Sequence, residues 1–255
     1  MTAWYQQSFG ETYLELYAHR DEQEARENVR ALMALLSPDK DAPLLDLCCG
    51  AGRYLCALME MGFRQLYGLD LSETLLDAAA QAVTEERADN PCQVELIPGD
   101  MRRIPYERHF GVILSLFTSF GYFDDEGENR AVLEGVFRAL KPGGVFVLDH
   151  MNRPYVLAHL VPQNDQELRG RHVHNQRRIT PDGRRVEKTM TIRDDAGHQQ
   201  VFFESVRLYA PEELAALLQQ VGFADLALYG SFQGEPLQAD SPRLLIIAHK
   251  PKESA

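Results

Sequence analysis

Leu44-Leu-Asp-Leu-Cys-Cys-Gly-Ala-Gly-Arg-Tyr54 is the stretch whose reading decides the fold. It begins as a short apolar run of the kind that forms a buried parallel strand. It then turns through Gly50-Ala51-Gly52 into a helical pattern with Leu55, Leu58 and Met59 on one face, and Gly62 stands where that helix should stop. A strand, a glycine turn and a helix N-terminus form a corner where backbone comes close to a ligand and N–H groups favour a carboxylate or phosphate. The triplet alone occurs in many loops; the strand before it and the helix after it make it informative.

Working outward, the same alternation repeats. Asp21 begins a helix, with Glu24 three residues on as in a capping box, and Val29, Leu32, Met33 and Leu36 form its apolar stripe. A second strand over 65–69 ends at Asp70, and Ser72 is placed to cap the helix through Leu75, Leu76 and Ala79. A third strand, 93–97, ends in Pro98-Gly99-Asp100; a fourth, 110–116, is nearly all apolar. A helix with Leu133, Val136, Phe137 and Leu140 follows, and a fifth strand, 145–148, ends at Asp149-His150. Alternation of this kind predicts an α/β protein, a parallel sheet covered on both faces, with ligands bound beyond the carboxyl ends of the strands. Asp70, Asp100, Ser115 and His150 all fall at such ends.

After residue 150 the pattern changes. Segments 171–179, 184–193 and 198–209 read as antiparallel strands joined at Pro181-Asp182-Gly183 and over 194–197. Pro211 opens a helix ended by Gly222, and strands near 224–229 and 243–249 close the sheet. The expected organisation is an N-terminal lid (1–20), a main domain (21–150 and 210–255) and an inserted roof (151–209). The lid rests on Trp4, Tyr5, Phe9, Tyr13 and Tyr17, which equally suit an aromatic stripe packed on the core.

Composition bounds the function. The net charge of -12 argues against duplex nucleic acid, which needs a basic face. The run Arg169, Arg171, Arg177, Arg178, Arg184 and Arg185 reads more plainly as solvated strand faces and turn flanks. Cys48, Cys49, Cys56 and Cys92 have no metal-ligand spacing and suit reduced thiols in the cytoplasm. No metal, signal peptide or membrane span is read.

Asp46-x-x-x-Gly50-x-Gly52, the acid Asp70, the step Gly99-Asp100-Met101 and Leu140-Lys-Pro-Gly-Gly144 occur in an order that resembles the class I S-adenosylmethionine-dependent methyltransferases. The stretch Ser115–Phe123 and the inserted meander are similar to the bacterial small-molecule type, such as the aminosugar N-methyltransferases. The resemblance implies a Rossmann-like seven-stranded fold of order 3-2-1-4-5-7-6, with an antiparallel β-meander after the fifth strand. It implies an enzyme that moves a methyl group from S-adenosyl-L-methionine to nitrogen or oxygen of a small molecule by in-line displacement, as a monomer or homodimer. Cys48 replaces the first glycine of the family loop, and the Asn/Asp-Pro-Pro-Tyr/Phe motif of base-modifying relatives is absent after the fourth strand.

Matched position by position, Gly50, Ala51 and Gly52 would approach the methionine part of the cofactor, and Asp46 would orient the loop, with water as its link to the cofactor ammonium. Asp70 would take the ribose hydroxyls, with Leu71 beside it, and Asp100 and Met101 the adenine. Ser115 and Phe117 would flank the sulfonium, and Tyr13 and Tyr17 would cover it. Arg53 either pairs with the cofactor carboxylate or is a solvated helix-start arginine. His150 is the candidate general base, or else a hydrogen-bonded structural histidine. Two rival readings are a cofactor-binding sensor without turnover and a nicotinamide-dependent oxidoreductase; the latter wants glycine where Leu55 stands.

Overall fold

β1 (Leu44–Leu47) is an interior strand of a seven-stranded sheet and is buried along its whole length. The structure, a computed structural model, describes residues 3–10, 12, 14, 22–87, 90–194 and 196–253. β2 (Gln65–Asp70), β3 (Gln93–Pro98), β4 (Phe110–Ser115) and β5 (Leu140–Met151) run parallel to β1. β11 (Arg243–His249) enters antiparallel to both β5 and β10 (Ala224–Tyr229). The order β10-β11-β5-β4-β1-β2-β3 is the expected one, with the last strand antiparallel.

Strand alternation divides the core between the two faces. Leu44 joins the cluster built with Val29, Leu32, Leu55, Leu58 and Leu76. These belong to α2 (Glu22–Leu36), α3 (Arg53–Glu60) and α4 (Glu73–Glu86). Leu45 and Leu47 point the other way, to Leu133, Val136, Leu214 and Leu218 of α5 (Glu126–Ala139) and α7 (Pro211–Val221). Each fully buried leucine contributes roughly 2 kcal/mol of apolar transfer free energy, so both helix layers are held by the sheet. Ser72 caps α4, its Oγ accepting from Leu75 N at 3.2 Å. Pro211 opens α7, and Gly222 closes it at φ 118.

The meander has four strands, one more than the sequence suggests: β6 (Gln163–Leu168), β7 (Arg171–Ile179), β8 (Arg185–Arg193) and β9 (Gln199–Arg207). A short helix α6 (Arg153–His159), likewise unanticipated, leads into it. In the N-terminal segment α1 (Trp4–Gln7) lies against β9, with Ser8 Oγ donating to Phe203 O at 2.9 Å. Tyr13, Tyr17 and Asp21 lie outside the described residues. No helix among the described residues is long and apolar enough to cross a membrane.

Candidate functional site

A cavity of about 970 Å³ opens beyond the carboxyl ends of β1, β2, β3 and β4, between the seven-stranded sheet and the meander. Its floor is the glycine corner. Cys48 at φ 64 and Gly50 at φ 54 curl the chain left-handed, and the N–H groups of Cys48 and Cys49 both donate to Leu69 O, at 2.7 and 3.1 Å. Gly52, at φ 80, does not line the cavity; a Cβ there would meet Ala79 Cβ at 3.1 Å. Its role is to let α3 and α4 approach, while Gly50 and Ala51 face the space.

Three strand-end carboxylates share the floor, each in a different state. Asp70 is a tie: its Oδ2 accepts from Gly50 N at 2.8 Å and its Oδ1 from Ser72 N at 2.9 Å. Burial still raises its pKa against those hydrogen bonds. The carboxylate keeps capacity to accept from a ligand hydroxyl. Asp100 is clamped by Arg102, whose Nε reaches Oδ1 at 3.0 Å and Oδ2 at 3.1 Å. Burial pulls the Asp100 carboxyl up, but the Arg102 hydrogen bonds and charge outweigh it and leave it below the usual range. Asp46 is almost wholly buried on β1, and its Oδ2 has no hydrogen-bond partner among the described residues. Burial pushes its pKa to about 7, against the nearby Arg53 charge. Leaving a buried carboxylate oxygen unpartnered is costly, and a cationic ligand group would relieve it.

Arg53 is part of the cavity wall rather than a solvated helix start. Its guanidinium packs on the rings of Tyr54 at 4.7 Å and Phe117 at 4.5 Å. Leu71 and Met101 line the same space, with Met101 Sδ 3.6 Å from Cys48 Sγ. Ser115 does not line it: the side chain is buried, and Leu116, Phe117 and Thr118 reach the cavity instead. Phe117 and Thr118 are both left-handed, at φ 61 and 59, a conformation that costs a non-glycine residue roughly 1–2 kcal/mol. Asp149 holds them there. Its Oδ2 accepts from Phe117 N at 2.8 Å, its carbonyl accepts from Thr118 N at 3.1 Å, and Arg243 Nη1 donates to the same Oδ2 at 2.7 Å.

His150 falls outside the cavity. β5 runs on to Met151, paired with β11, so Asp149 and His150 lie inside the strand and point to opposite faces. Asp149 takes the loop side. His150 is fully buried, its Nδ1 3.0 Å from Met151 O and its ring 5.9 Å from that of Tyr209. Burial lowers its pKa and keeps it neutral. His172 and His174 also face elsewhere, sharing Asp165 Oδ1 at 3.2 and 2.8 Å over a separate smaller hollow. No group of three or more potential metal ligands occurs among the described residues.

Above the floor, the N-terminal segment supplies Trp4, Tyr5 and Phe9. Trp4 meets Tyr122 edge-on at 5.0 Å, Phe9 stacks on Tyr122 at 5.9 Å, and Tyr5 meets Phe123 at 5.4 Å. Ser72 Oγ donates to Phe9 O at 2.6 Å and ties this segment to the end of β2. The meander adds Arg177, Val186, Lys188, Glu204 and Val206. Sequence reasoning missed Asp149, Arg243, Tyr122 and these meander residues as parts of the site. Alternation along β8 put Val186 on a different face from Glu187, yet nothing local said which face meets the cavity.

Residues 44–144 match the profile of a methyltransferase domain. The cypemycin N-terminal methyltransferase of a Streptomyces species is 28% identical over 222 residues, covering 81% of this chain and 82% of that protein. A S-adenosylmethionine-dependent methyltransferase from Clostridium acetobutylicum superposes with a TM-score of 0.77 at 20% identity, over 95% of this chain and 97% of that one. CalS10, an amino pentose methyltransferase from Micromonospora echinaspora solved with S-adenosylmethionine bound, gives 0.67 at 25% identity, over 94% and 97%.

Proposed function

We propose that this chain, a class I S-adenosyl-L-methionine-dependent methyltransferase of the small-molecule type, methylates an amine or hydroxyl of a small acceptor held under the meander. The observation that carries the reading is the buried Asp46 carboxylate with an unpartnered oxygen, set among the strand-end acids of one large cavity. Such a floor suits a cofactor bearing an ammonium and a sulfonium. When bound, S-adenosyl-L-methionine supplies an activated methyl group. Asp46 would accept from its ammonium, Asp70 from the ribose hydroxyls and Asp100 from the adenine amino group. Arg53, already beside Asp46, is the candidate partner of the carboxylate.

The chain's own work is then positioning and exclusion of water. Leu116 and Phe117 form the wall by the glycine corner; Trp4, Phe9 and Tyr122 screen the cavity with aromatic surface. No histidine among the described residues lines the main cavity, which leaves its carboxylates and the acceptor's own ionisation as routes for proton removal. Residues 151–209 serve as the acceptor roof, 3–10 as part of a lid, and the remainder as the cofactor domain. Four free cysteines support a reducing, cytoplasmic setting. Amine acceptors have a specific precedent in the relatives that are an amino pentose methyltransferase and a peptide N-terminal methyltransferase.

The test has two readouts. Calorimetry should give S-adenosylhomocysteine binding that Asp70→Ala weakens by roughly 1.5–3 kcal/mol, the worth of hydrogen bonds to a charged acceptor. Labelled S-adenosylmethionine should pass its methyl to a small-molecule fraction of a cell extract. Binding without any transfer would favour the sensor reading, and NADH binding in place of S-adenosylhomocysteine the oxidoreductase.

A further inference from the structure

Two consecutive residues beyond β4, Phe117 and Thr118, are left-handed, at φ 61 and 59. For a β-branched residue such as threonine that region is a genuine outlier. The same loop meets its next left-handed position with a glycine, Gly121 at φ 93. At 118 the chain keeps a side chain that the backbone would do better without. Phe117 has a visible reason for its side chain, a ring packed under the Arg53 guanidinium at 4.5 Å. Thr118 lines the cavity, and its hydroxyl meets no hydrogen-bond partner among the described residues. Ser119, beside it, donates its own hydroxyl to Leu116 O at 2.8 Å. Backbone strain persists where the surroundings over-determine it, and such positions cluster at functional sites. Here Asp149 fixes the pair, accepting from Phe117 N through Oδ2 at 2.8 Å and from Thr118 N through its carbonyl at 3.1 Å.

The place of Thr118 in the fold separates the two reactants. The carboxylates that suit the cofactor stand on β1, at the end of β2 and just past β3. Thr118 is anchored instead to β5, on the other side of β4 from those strands. The chain then runs from it to Tyr122 and Phe123, whose carbonyls accept from Arg185 of the roof. Thr118 thus stands between the glycine corner and the roof, where an acceptor held under the meander meets the methyl group. In an in-line displacement the nucleophile aims its lone pair at that methyl, so a hydrogen still attached to it points aside. A threonine oxygen has the lone pairs to accept from such a hydrogen. We propose that Thr118 Oγ1 accepts a hydrogen bond from the reacting N–H or O–H of the acceptor and so aims its lone pair at the cofactor methyl. The acceptor is then a primary or secondary amine or a hydroxyl, since a tertiary amine or a thioether has no hydrogen to donate. Thr118 orients the nucleophile and takes no proton from it. This assignment rests on the reading of the cavity as a methyltransferase site.

Three variants of the whole chain separate the hydroxyl from the strain. Thr118→Val keeps the branched shape and loses the hydroxyl, Thr118→Ser keeps the hydroxyl, and Thr118→Gly relieves the backbone and loses both. Thr118→Gly should melt about 2 °C or more above the parent. Transfer is read with labelled S-adenosylmethionine and the small-molecule fraction of a cell extract. It should fall about tenfold or more in Thr118→Val and Thr118→Gly, and recover to within about threefold of the parent in Thr118→Ser. Calorimetric affinities for S-adenosylmethionine and S-adenosylhomocysteine should be the same in all four proteins. Transfer by Thr118→Val equal to that of the parent overturns the proposal. So does weaker cofactor binding in Thr118→Val, which gives the hydroxyl to the cofactor. A Thr118→Gly protein that melts below the parent overturns it too, since the side chain is then a packing element. A parent that binds S-adenosylhomocysteine but labels nothing fails the methyl-transfer reading itself, and the proposal falls with it. If circular dichroism shows Thr118→Val unfolded, Thr118→Ala replaces it, with the same loss of transfer expected.

Discussion

Asp46 couples the site to pH. With burial holding its carboxyl at about 7, it is half protonated near neutrality, whereas a cationic ligand selects the ionised form. S-adenosylhomocysteine affinity should therefore be full above pH 7 and fall toward tenfold per unit as pH drops below it. Asp46→Asn should bind weakly and lose that dependence. The stability effect has the opposite sense. The folded pKa lies above the unfolded value of ~3.9, so the folded state holds its proton more tightly. That contribution is complete below pH ~4 and is lost as pH rises through 7, at a cost on the order of 4 kcal/mol at most. Asp46→Asn should accordingly melt higher than the parent at pH 8 and match it near pH 4. A melting difference that does not change with pH would remove the buried-charge account. The place of Asp46 in the strand was legible from the sequence; its unpartnered oxygen was not, because that depends on what surrounds β1 on all sides.

The loop after β4 depends on a residue from β5 and another from β11. Asp149 anchors two consecutive left-handed residues and meets Arg243, whose pKa is raised by that carboxylate against the opposing effect of burial. Asp149→Ala would leave Arg243 facing a void and free the loop, a loss of roughly 3–5 kcal/mol for a broken buried pair. Denaturant unfolding measures it, and a loss under 1 kcal/mol would mean the loop holds itself. The fold was readable wherever an element carries its own signal. β1, β4 and the helices show apolar runs, stripes and caps. β6, spelled Gln163-Asn-Asp-Gln-Glu-Leu168, has no apolar alternation and exists as the edge strand paired to β7. The carboxyl end of β5 was hidden for a related reason. Met151 and His150 are strand residues because Arg243 and Leu244, far along the chain, pair with them, which puts His150 inside β5 rather than past its end. The N-terminal segment gives a further expectation. Residues 3–10 are held by Ser8, Ser72 and ring contacts with Tyr122. Their amide exchange should slow when S-adenosylhomocysteine is added; equal protection in both states would make the segment plain packing.

The two sheets are joined by arginines rather than by a continuous apolar core. The meander keeps its own small cluster of Val173, Met190 and Ile192. Arg185 reaches out of β8 to the carbonyls of Gly121, Tyr122 and Phe123 at 3.3, 3.1 and 3.0 Å, and to Ser205 Oγ at 2.8 Å. Arg207, its cross-strand neighbour, donates to Glu126 Oε1 at 2.8 Å and to Leu208 O at 2.7 Å. These contacts seat the roof on the loop that carries Tyr122 and Phe123, so they set the height of the acceptor space without touching the floor. Arg185→Met should remove hydrogen bonds worth roughly 2 kcal/mol and lower Tm by about 4–8 °C for a chain of this size. S-adenosylhomocysteine affinity should stay within about twofold, since Asp46, Asp70 and Asp100 lie on the other sheet. On the proposal that the roof holds the acceptor and not the cofactor, the KM for an acceptor, once one is in hand, should rise severalfold with a smaller change in kcat. An equal loss in cofactor and acceptor affinity would instead mean that the loop from Gly121 to Phe123 transmits strain to the glycine corner, and that roof and floor act as one unit.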